Sequence, residues 1–157
     1  MNQPAHPPVQ SDFDLDRLFS YRLSVLSNRI SGAISREYHR RFGLAITEWR
    51  VMAVLGRFPG LSAGEVSART AMDKVAVSRA VARLLERGLI QREIHDDDRR
   101  RSVLALSTEG VRVHDEVAPM VMEYHQRLFE SFTPEERAVL DKLLDKLAGD
   151  GVKRIEG

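Results

Sequence analysis

Apolar side chains recur at helical spacing near the start of the chain. From about Asp14 to Arg41 they return every three or four residues, and six arginines are distributed among them. This period is typical of an amphipathic helix. Gly43 predicts its end, because glycine commonly terminates helices in the left-handed conformation. The segment is longer and more amphipathic than is required to cover the short central block that follows it.

The same helical period returns near the end of the chain. Ser107 or Thr108 predicts the N-cap of a long helix, in which Pro119 predicts a kink or an interruption. Thr133 opens a further helix, since the order Thr-Pro-Glu-Glu combines a capping hydroxyl, a proline in the first turn and a glutamate at the third position. We therefore expect two helices after the central block.

The central block begins with two shorter helical patterns. Thr47 predicts the N-cap of the first helix, which ends at the turn formed by residues 58–60. Ser62 and Glu65 have the spacing of a capping box, and they predict a short helix through about Ala68.

A third helix, a sharp stop and two strands complete this block. Helical spacing runs from Asp73 to Arg87, and Gly88 stands where a C-terminal glycine cap belongs. Residues 89–94 and 102–106 each have a β-like pattern, so the charged stretch between them is the connection of a hairpin. Two short helices joined by a tight turn, with a hairpin after them, predict a winged helix-turn-helix.

Charge is balanced over the whole chain, so any basic surface must be local. Lys and Arg number 24 against 23 for Asp and Glu, a formal net charge of +1. The absence of cysteine excludes disulfides, thiolate metal sites and thiol-based redox sensing. The five histidines show no i,i+4 pair, and we expect neither a metal nor a cofactor. We expect a cytoplasmic protein without a membrane partner, because no run of about 18 apolar residues and no secretory signal order is present.

The helix from Asp73 to Arg87 has two chemically distinct faces. At about 100° per residue, the apolar face gathers Val77, Ala80, Val81, Leu84 and Leu85, and the opposite face gathers Val75, Ser78, Arg79, Ala82, Arg83 and Glu86. A short, polar and basic face suits a helix in the DNA major groove, where Ser and Arg reach base edges or phosphates and valine methyls meet thymine methyls. The alternative is an ordinary amphipathic surface helix.

The hairpin connection concentrates charge of both signs. Asp96, Asp97 and Asp98 directly precede residues 99–101, which are all arginine. At the tip of a wing, arginines can enter the narrow minor groove of A·T-rich DNA while a carboxylate fixes their orientation. The residues alone do not indicate which of the three arginines enters the minor groove. One alternative is a solvated turn whose charges neutralise each other; a metal site on the acids is disfavoured, since no glycine-containing calcium loop is present.

These patterns predict a mainly α (α+β) fold, a winged helix-turn-helix with flanking N- and C-terminal dimerisation helices. We expect a disordered N-terminal segment at residues 1–12, dimerisation helices at 13–43 and 107–148, and the DNA-binding domain at 44–106. Two modules about one DNA turn apart would combine their binding energies on a pseudo-palindrome. The alternative is that the outer helices only cover the central block of their own chain.

The sequence resembles the MarR family of bacterial transcriptional regulators. The family's wing signature is D-x-R followed after five residues by L-T, and Asp98, Arg100, Leu106 and Ser107 occupy those places, with Ser in place of the usual Thr. The segment 77–100 matches the recognition helix, its glycine stop and the first wing strand, and segments 48–55 and 133–147 are also similar. The resemblance spans about residues 15–147.

The resemblance implies a homodimer on double-stranded DNA. It implies Arg100 as the wing residue in the minor groove with Asp98 as its partner, and it implies that Ser78, Arg79, Arg83 and Lys74 lie at the major groove. Together with the bottom-up interpretation, the predicted DNA-binding residues are Ser62, Lys74, Val75, Ser78, Arg79, Arg83, Asp98, Arg99, Arg100 and Arg101.

The resemblance also implies a small ligand, bound between the dimer core and the winged module, that lowers DNA affinity. The predicted effector-binding residues are Arg22, Arg29, His39, Trp49 and Met52. An indole offers a stacking face, and basic side chains pair with a carboxylate. The expected ligand is a small anionic aromatic molecule, an aromatic acid or its CoA thioester. The alternative is that Trp49 and Met52 are core residues and the arginines are solvated or paired at an interface.

The sequence thus predicts a ligand-responsive dimeric repressor of a pseudo-palindromic operator. The alternative is a winged-helix protein-interaction module without sequence-specific DNA binding. An enzyme is disfavoured, because no G-x-S-x-G, P-loop, G-x-G-x-x-G or metal triad is present.

Overall fold

The computed structural model describes residues 13–70, 72–94 and 102–156, apart from the side chain of Ile94. The predicted disordered segment at residues 1–12 lies outside this range. The predicted wing residues Asp98, Arg99, Arg100 and Arg101 also lie outside the described residues, so their roles stay predictions.

The order of elements is that of a winged helix-turn-helix placed between outer helices. A 3-10 turn at Leu15–Arg17 comes first, and a π-helical turn at Leu147–Gly151 precedes the last helix. The helices are α1 (Phe19–Phe42), α2 (Ile46–Arg57), α3 (Ala63–Thr70), α4 (Lys74–Glu86), α5 (Thr108–Leu128), α6 (Pro134–Lys146) and α7 (Val152–Glu156). The strands are β1 (Ile90–Ile94) and β2 (Ser102–Leu106). The predicted fold class is confirmed.

The core lies in the central block, where α2, α3 and α4 pack against each other. The predicted apolar face of α4 is confirmed, since Val77, Ala80, Val81 and Leu84 are buried. Burying an apolar stripe is what holds an amphipathic helix in place, because a helix of this length is marginal by itself. The opposite face of α4 is therefore held at a fixed orientation toward solvent.

The wing is anchored at its base by a third segment. β1 and β2 pair antiparallel, from Ile90 opposite Leu106 to Ile94 opposite Ser102. Leu61 pairs with Leu104 on the other side of β2, with a hydrogen bond of 2.8 Å from the Leu104 N–H to the Leu61 carbonyl. The loop before α3 is thereby tied to the wing.

Gly88 turns the chain from α4 into the wing, as predicted. Its φ is 66°, a left-handed conformation that only glycine adopts without strain. The Leu89 N–H donates to the Leu84 carbonyl at 2.9 Å and the Gly88 N–H to the Leu85 carbonyl at 3.0 Å. This is the Schellman pattern, and it fixes the angle between the helix and the hairpin.

Two predicted capping boxes are confirmed. The Ser62 N–H donates to Glu65 at 2.8 Å while the Ser62 hydroxyl accepts from the Glu65 N–H at 3.3 Å. Thr133 and Glu136 make the same reciprocal pair at 2.9 and 3.1 Å. Of the two predicted caps for α5, Ser107 is the one used.

Three sequence expectations differ from the structure. The N-cap of α2 is Ala45 rather than Thr47, because the Glu48 carboxylate, three residues on, accepts from the Ala45 N–H and no capping hydroxyl is needed. The helix α1 begins at Phe19, after the separate 3-10 turn, rather than at Asp14. α5 runs through Pro119 without interruption; Pro119 is exposed, so water can reach the carbonyl that lacks its helical donor.

The outer helices leave much of their apolar surface uncovered within one chain. None of the residues of α6, all of which the structure describes, is buried. Exposed large apolar side chains on α1 and α6 include Phe19, Leu23, Leu26, Val139, Leu143 and Leu144. In the described part of the chain, no helix has the length and apolar character required to cross a membrane.

Candidate nucleic-acid interface

The outward face of α4 carries most of the predicted major-groove residues. Val75 is 58% exposed, and Ser78 and Arg79 are exposed one turn further along. The Arg83 side chain is 66% exposed. One helix face therefore presents apolar, hydroxyl and guanidinium groups, which are the kinds of group that contact bases and phosphates in a major groove.

The start of α4 is built by a side-chain cap. The Asp73 carboxylate accepts from the Ala76 N–H at 2.9 Å, so the helix begins at Lys74 with its first turn fixed. Lys74 is exposed, and its ammonium stands beside this capped end. The acidic cap complements the positive end of the helix dipole, and Lys74 is the exposed basic residue of this first turn.

The predicted residue Ser62 lies at a second helix start. Its hydroxyl accepts the N3 N–H bond of α3, and the residue is half-buried. Ser67, within α3, donates to the Met72 carbonyl at 3.0 Å and so holds the tight turn that leads to α4. The relative orientation of α3 and α4 is thus set by hydrogen bonds as well as by the core.

Sequence reasoning missed one charged residue behind this face. The Glu48 side chain is 5% exposed and lies within ion-pair distance of Arg83 and Arg87, both on α4. The available signal was a glutamate at the start of the largely apolar segment 48–55, in a chain whose predicted recognition helix has basic residues four positions apart. A buried carboxylate needs such partners.

The comparisons with known proteins agree with this geometry. Residues 42–101 match the model of the MarR family. A MarR/EmrR family transcriptional regulator from Acinetobacter sp. ADP1 has a solved structure that superimposes with a TM-score of 0.82 at 29% identity, over 90% of this chain and 99% of that one. The central block of the chain thus matches the MarR family, and the chain has the fold of a MarR-type transcriptional regulator. The relatives named here are transcriptional regulators.

Two further proteins are similar to most of the chain. The HTH-type transcriptional regulator BilQ from Clostridium symbiosum is 25% identical over 133 residues, which are 85% of this chain and 92% of that protein. The structure of CouR from Rhodococcus jostii RHA1, bound to p-coumaroyl-CoA, has a TM-score of 0.74 at 25% identity, over 87% of this chain and 95% of that one.

The structure distributes the five predicted effector-binding residues over different places. Arg22 and Arg29 line a cavity of about 630 Å³ between α1 and α6, with leucines of α6 on the far wall. Among the described residues, the lining of this cavity includes neither His39, Trp49 nor Met52. One chain therefore does not assemble the five residues into a single pocket.

The other three predicted effector residues lie in or beside the central block. Met52 is fully buried in the core, and a ring nitrogen of His39 is 3.3 Å from the Leu44 carbonyl. Trp49 is half-buried, with its ring centroid 6.0 Å from Tyr38 and 5.5 Å from His114. The indole thus belongs to an aromatic cluster where α1, α2 and α5 meet.

A cation that was not predicted lies next to this aromatic cluster. Burial raises the pKa of the Tyr38 hydroxyl above its usual value, and the positive charge of Arg50 opposes that rise. Arg50 itself is exposed and donates to the Ser31 hydroxyl at 3.3 Å. In the described residues, no group of three His, Asp or Glu side chains is arranged as metal ligands would be.

Proposed function

We propose that this MarR-family regulator is a homodimeric repressor of a pseudo-palindromic operator, released by a small anionic aromatic ligand. The observation that carries the DNA part is the outward face of α4, where Ser78, Arg79 and Arg83 are exposed on a helix whose apolar face packs into the core. Sequence-specific contacts require side chains held at a fixed orientation, and this packing provides it. We also propose that the protein is located in the cytoplasm, since chromosomal DNA is there.

The dimer is supported by the surface that one chain leaves uncovered. Apolar side chains of α1 and α6 line the cavity between these two helices. None of the α6 residues is buried, and a helix with no buried face gains little stability in water. A second copy offers the same apolar groups, and two-fold association is the commonest way to bury such a patch. The pair of winged modules would then read two half-sites.

We propose that the ligand binds at the aromatic cluster around Trp49. A half-buried indole offers a stacking face, and Arg50 is an exposed cation close to Tyr38 in the same cluster. Stacking and a charge-assisted hydrogen bond together recognise an aromatic carboxylate or its thioester. The CoA thioester bound to CouR belongs to this chemical class. In this proposal Arg22 and Arg29 lie on the side of the chain that the second copy covers.

A genomic footprint tests the proposal. Purified protein is incubated with fragmented genomic DNA of its source organism, and the recovered fragments are sequenced and footprinted. We expect a few sites with two half-sites about 10 base pairs apart, protected by one dimer, with affinity that falls steeply as salt rises. Recovery of random fragments only would contradict the proposal and favour the protein-interaction alternative.

The ligand proposal predicts a selective effect of Arg50→Gln. We expect this variant to require about tenfold more aromatic acid to release the operator, because a charge-assisted hydrogen bond is lost and about 1.4 kcal/mol corresponds to tenfold. The measurement is the ligand concentration at half-release in a fluorescence anisotropy titration. Arg57→Gln, at the other end of α2, is the matched control. A normal response in Arg50→Gln together with a lost response in Arg22→Gln or Arg29→Gln would move the site to the α1–α6 cavity.

A further inference from the structure

Glu48 connects three elements with one buried carboxylate. Its Oε2 accepts from the Ala45 N–H at 3.1 Å at the start of α2. The same oxygen is 3.4 Å from Nη1 of Arg87, and Oε1 is 3.7 Å from Nη1 of Arg83. In the described part of the chain, Glu48 is the only acidic residue that is buried. A carboxylate removed from water in this way is stable only with such partners.

Arg87 connects Glu48 to the end of α1. Its guanidinium also donates to the Phe42 carbonyl at 2.5 Å and to the Gly43 carbonyl at 3.3 Å. Those carbonyls end α1 and have no helical donors of their own. Arg87 therefore donates to three residues, and the Glu48 oxygen that it contacts is fixed with respect to both α1 and α4.

Arg83 differs from Arg87 in that most of its side chain remains in solvent. It is 66% exposed, and its guanidinium has the long flexible stem that normally samples many rotamers. The buried carboxylate attracts the Arg83 guanidinium, with 3.7 Å between Arg83 Nη1 and Glu48 Oε1. This attraction favours one position of the guanidinium on the outward face of α4.

We infer that Glu48 is a positioning residue for DNA recognition, which fixes the guanidinium of Arg83 before the operator is met. This inference rests on the proposed function, because Arg83 matters only if the outward face of α4 meets DNA. Glu48 itself touches no DNA, since it lies behind the face. An arginine that is already ordered loses less rotamer freedom on binding, and it distinguishes bases better than a mobile charge.

Replacing Glu48 by glutamine separates positioning from simple electrostatics. Glutamine keeps an oxygen that accepts from the Ala45 N–H, but it removes a negative charge near the DNA face. Electrostatics alone would strengthen binding to every duplex. Positioning predicts that the ratio of operator affinity to random-duplex affinity falls about fivefold, roughly 1 kcal/mol of charge-assisted interaction.

The experiment measures this ratio for the full-length parent, Glu48→Gln, Arg83→Gln and the double variant. We expect Glu48→Gln to lower the ratio in the parent background and to leave it unchanged in the Arg83→Gln background. Glu136→Gln is the matched control, since Glu136 caps α6 in the same way and should leave the ratio unchanged. An unchanged ratio in Glu48→Gln, or equal effects in both backgrounds, would overturn the inference.

A second measurement needs no variant and no DNA. In the free parent protein, ¹⁵N relaxation of the Arg83 Nε–Hε group should give an order parameter above about 0.6, where lower values mark flexible groups. A value in the flexible range would overturn the inference even if Glu48→Gln failed to fold. If the parent instead bound every duplex with the same affinity, the proposed function would fail. The relaxation measurement would still show whether the Arg83 guanidinium is ordered.

Discussion

Replacing Leu143 with glutamate should convert the proposed dimer into a monomer and lower operator affinity by at least about 100-fold, the gain that linking two binding modules commonly gives. Leu143 is 52% exposed in one chain, and it lines the groove between α1 and α6. In a two-fold dimer the same position occurs twice, so the variant introduces two carboxylates into one apolar interface. An unpaired charge in such an interface costs several kcal/mol, because it must be removed from water without a partner.

The neighbouring residue offers a matched control for Leu143→Glu. Lys142→Glu changes more charge, from positive to negative, at an exposed position on the same helix turn, yet it removes no apolar side chain. We expect this control to remain dimeric in analytical ultracentrifugation and to bind the operator within a few-fold of the parent. A Leu143→Glu variant that sediments as a dimer would contradict the proposed interface.

Gly110→Ala should destabilise the folded protein by about 3 kcal/mol, at the upper end of what overpacking costs. Gly110 lies in the first turn of α5, which packs against the start of β1. A Cβ placed on Gly110 would be 1.8 Å from the Leu89 carbonyl oxygen. That oxygen cannot move freely, since it accepts from the Ser107 N–H at 3.1 Å. The cap of α5 and the base of the wing would therefore have to separate.

The control for Gly110→Ala is Gly64→Ala in α3. A Cβ at Gly64 comes no closer than 4.0 Å to its nearest neighbour, the Ser62 hydroxyl. Alanine there should be neutral or stabilise the helix by up to about 1 kcal/mol. Urea denaturation at one fixed protein concentration gives both values, since the stability of a dimer depends on concentration. Equal midpoints for Gly110→Ala and the parent would show that α5 and β1 are not packed in this way.

The parts of the fold that were predicted from sequence depend on local chemistry. The Ser62 and Thr133 capping boxes, the Gly88 stop and the apolar face of α4 are each determined by residues within one or two helical turns of one another. Hydroxyl caps, left-handed glycines and a 3.6-residue period act through the backbone nearby. Such signals can be recognised without knowing the rest of the chain.

The parts that were missed depend on contacts between distant segments. Glu48 meets Arg83 and Arg87 more than 30 positions later, so its role as the centre of two ion pairs has no local signature. Trp49 and Arg22 were grouped by chemical suitability for an aromatic anion; within one chain Trp49 lies against Tyr38 while Arg22 lines the cavity between α1 and α6, so their shared site stays a prediction. Residue type indicates which ligand a side chain suits, whereas only the tertiary structure decides which side chains share a site.

The salt dependence of operator binding by Arg79→Ala tests most directly whether the outward face of α4 contacts DNA. The affinity of the parent and of this variant is measured by fluorescence anisotropy at several salt concentrations, with Arg154→Ala in α7 as the control. We expect Arg79→Ala to bind the operator at least about tenfold more weakly, by roughly 1–3 kcal/mol per contact. A phosphate contact would also make its salt slope shallower by about one per protomer. Arg79→Ala that matches the parent in both affinity and slope, on a duplex that the parent selects, would contradict the account.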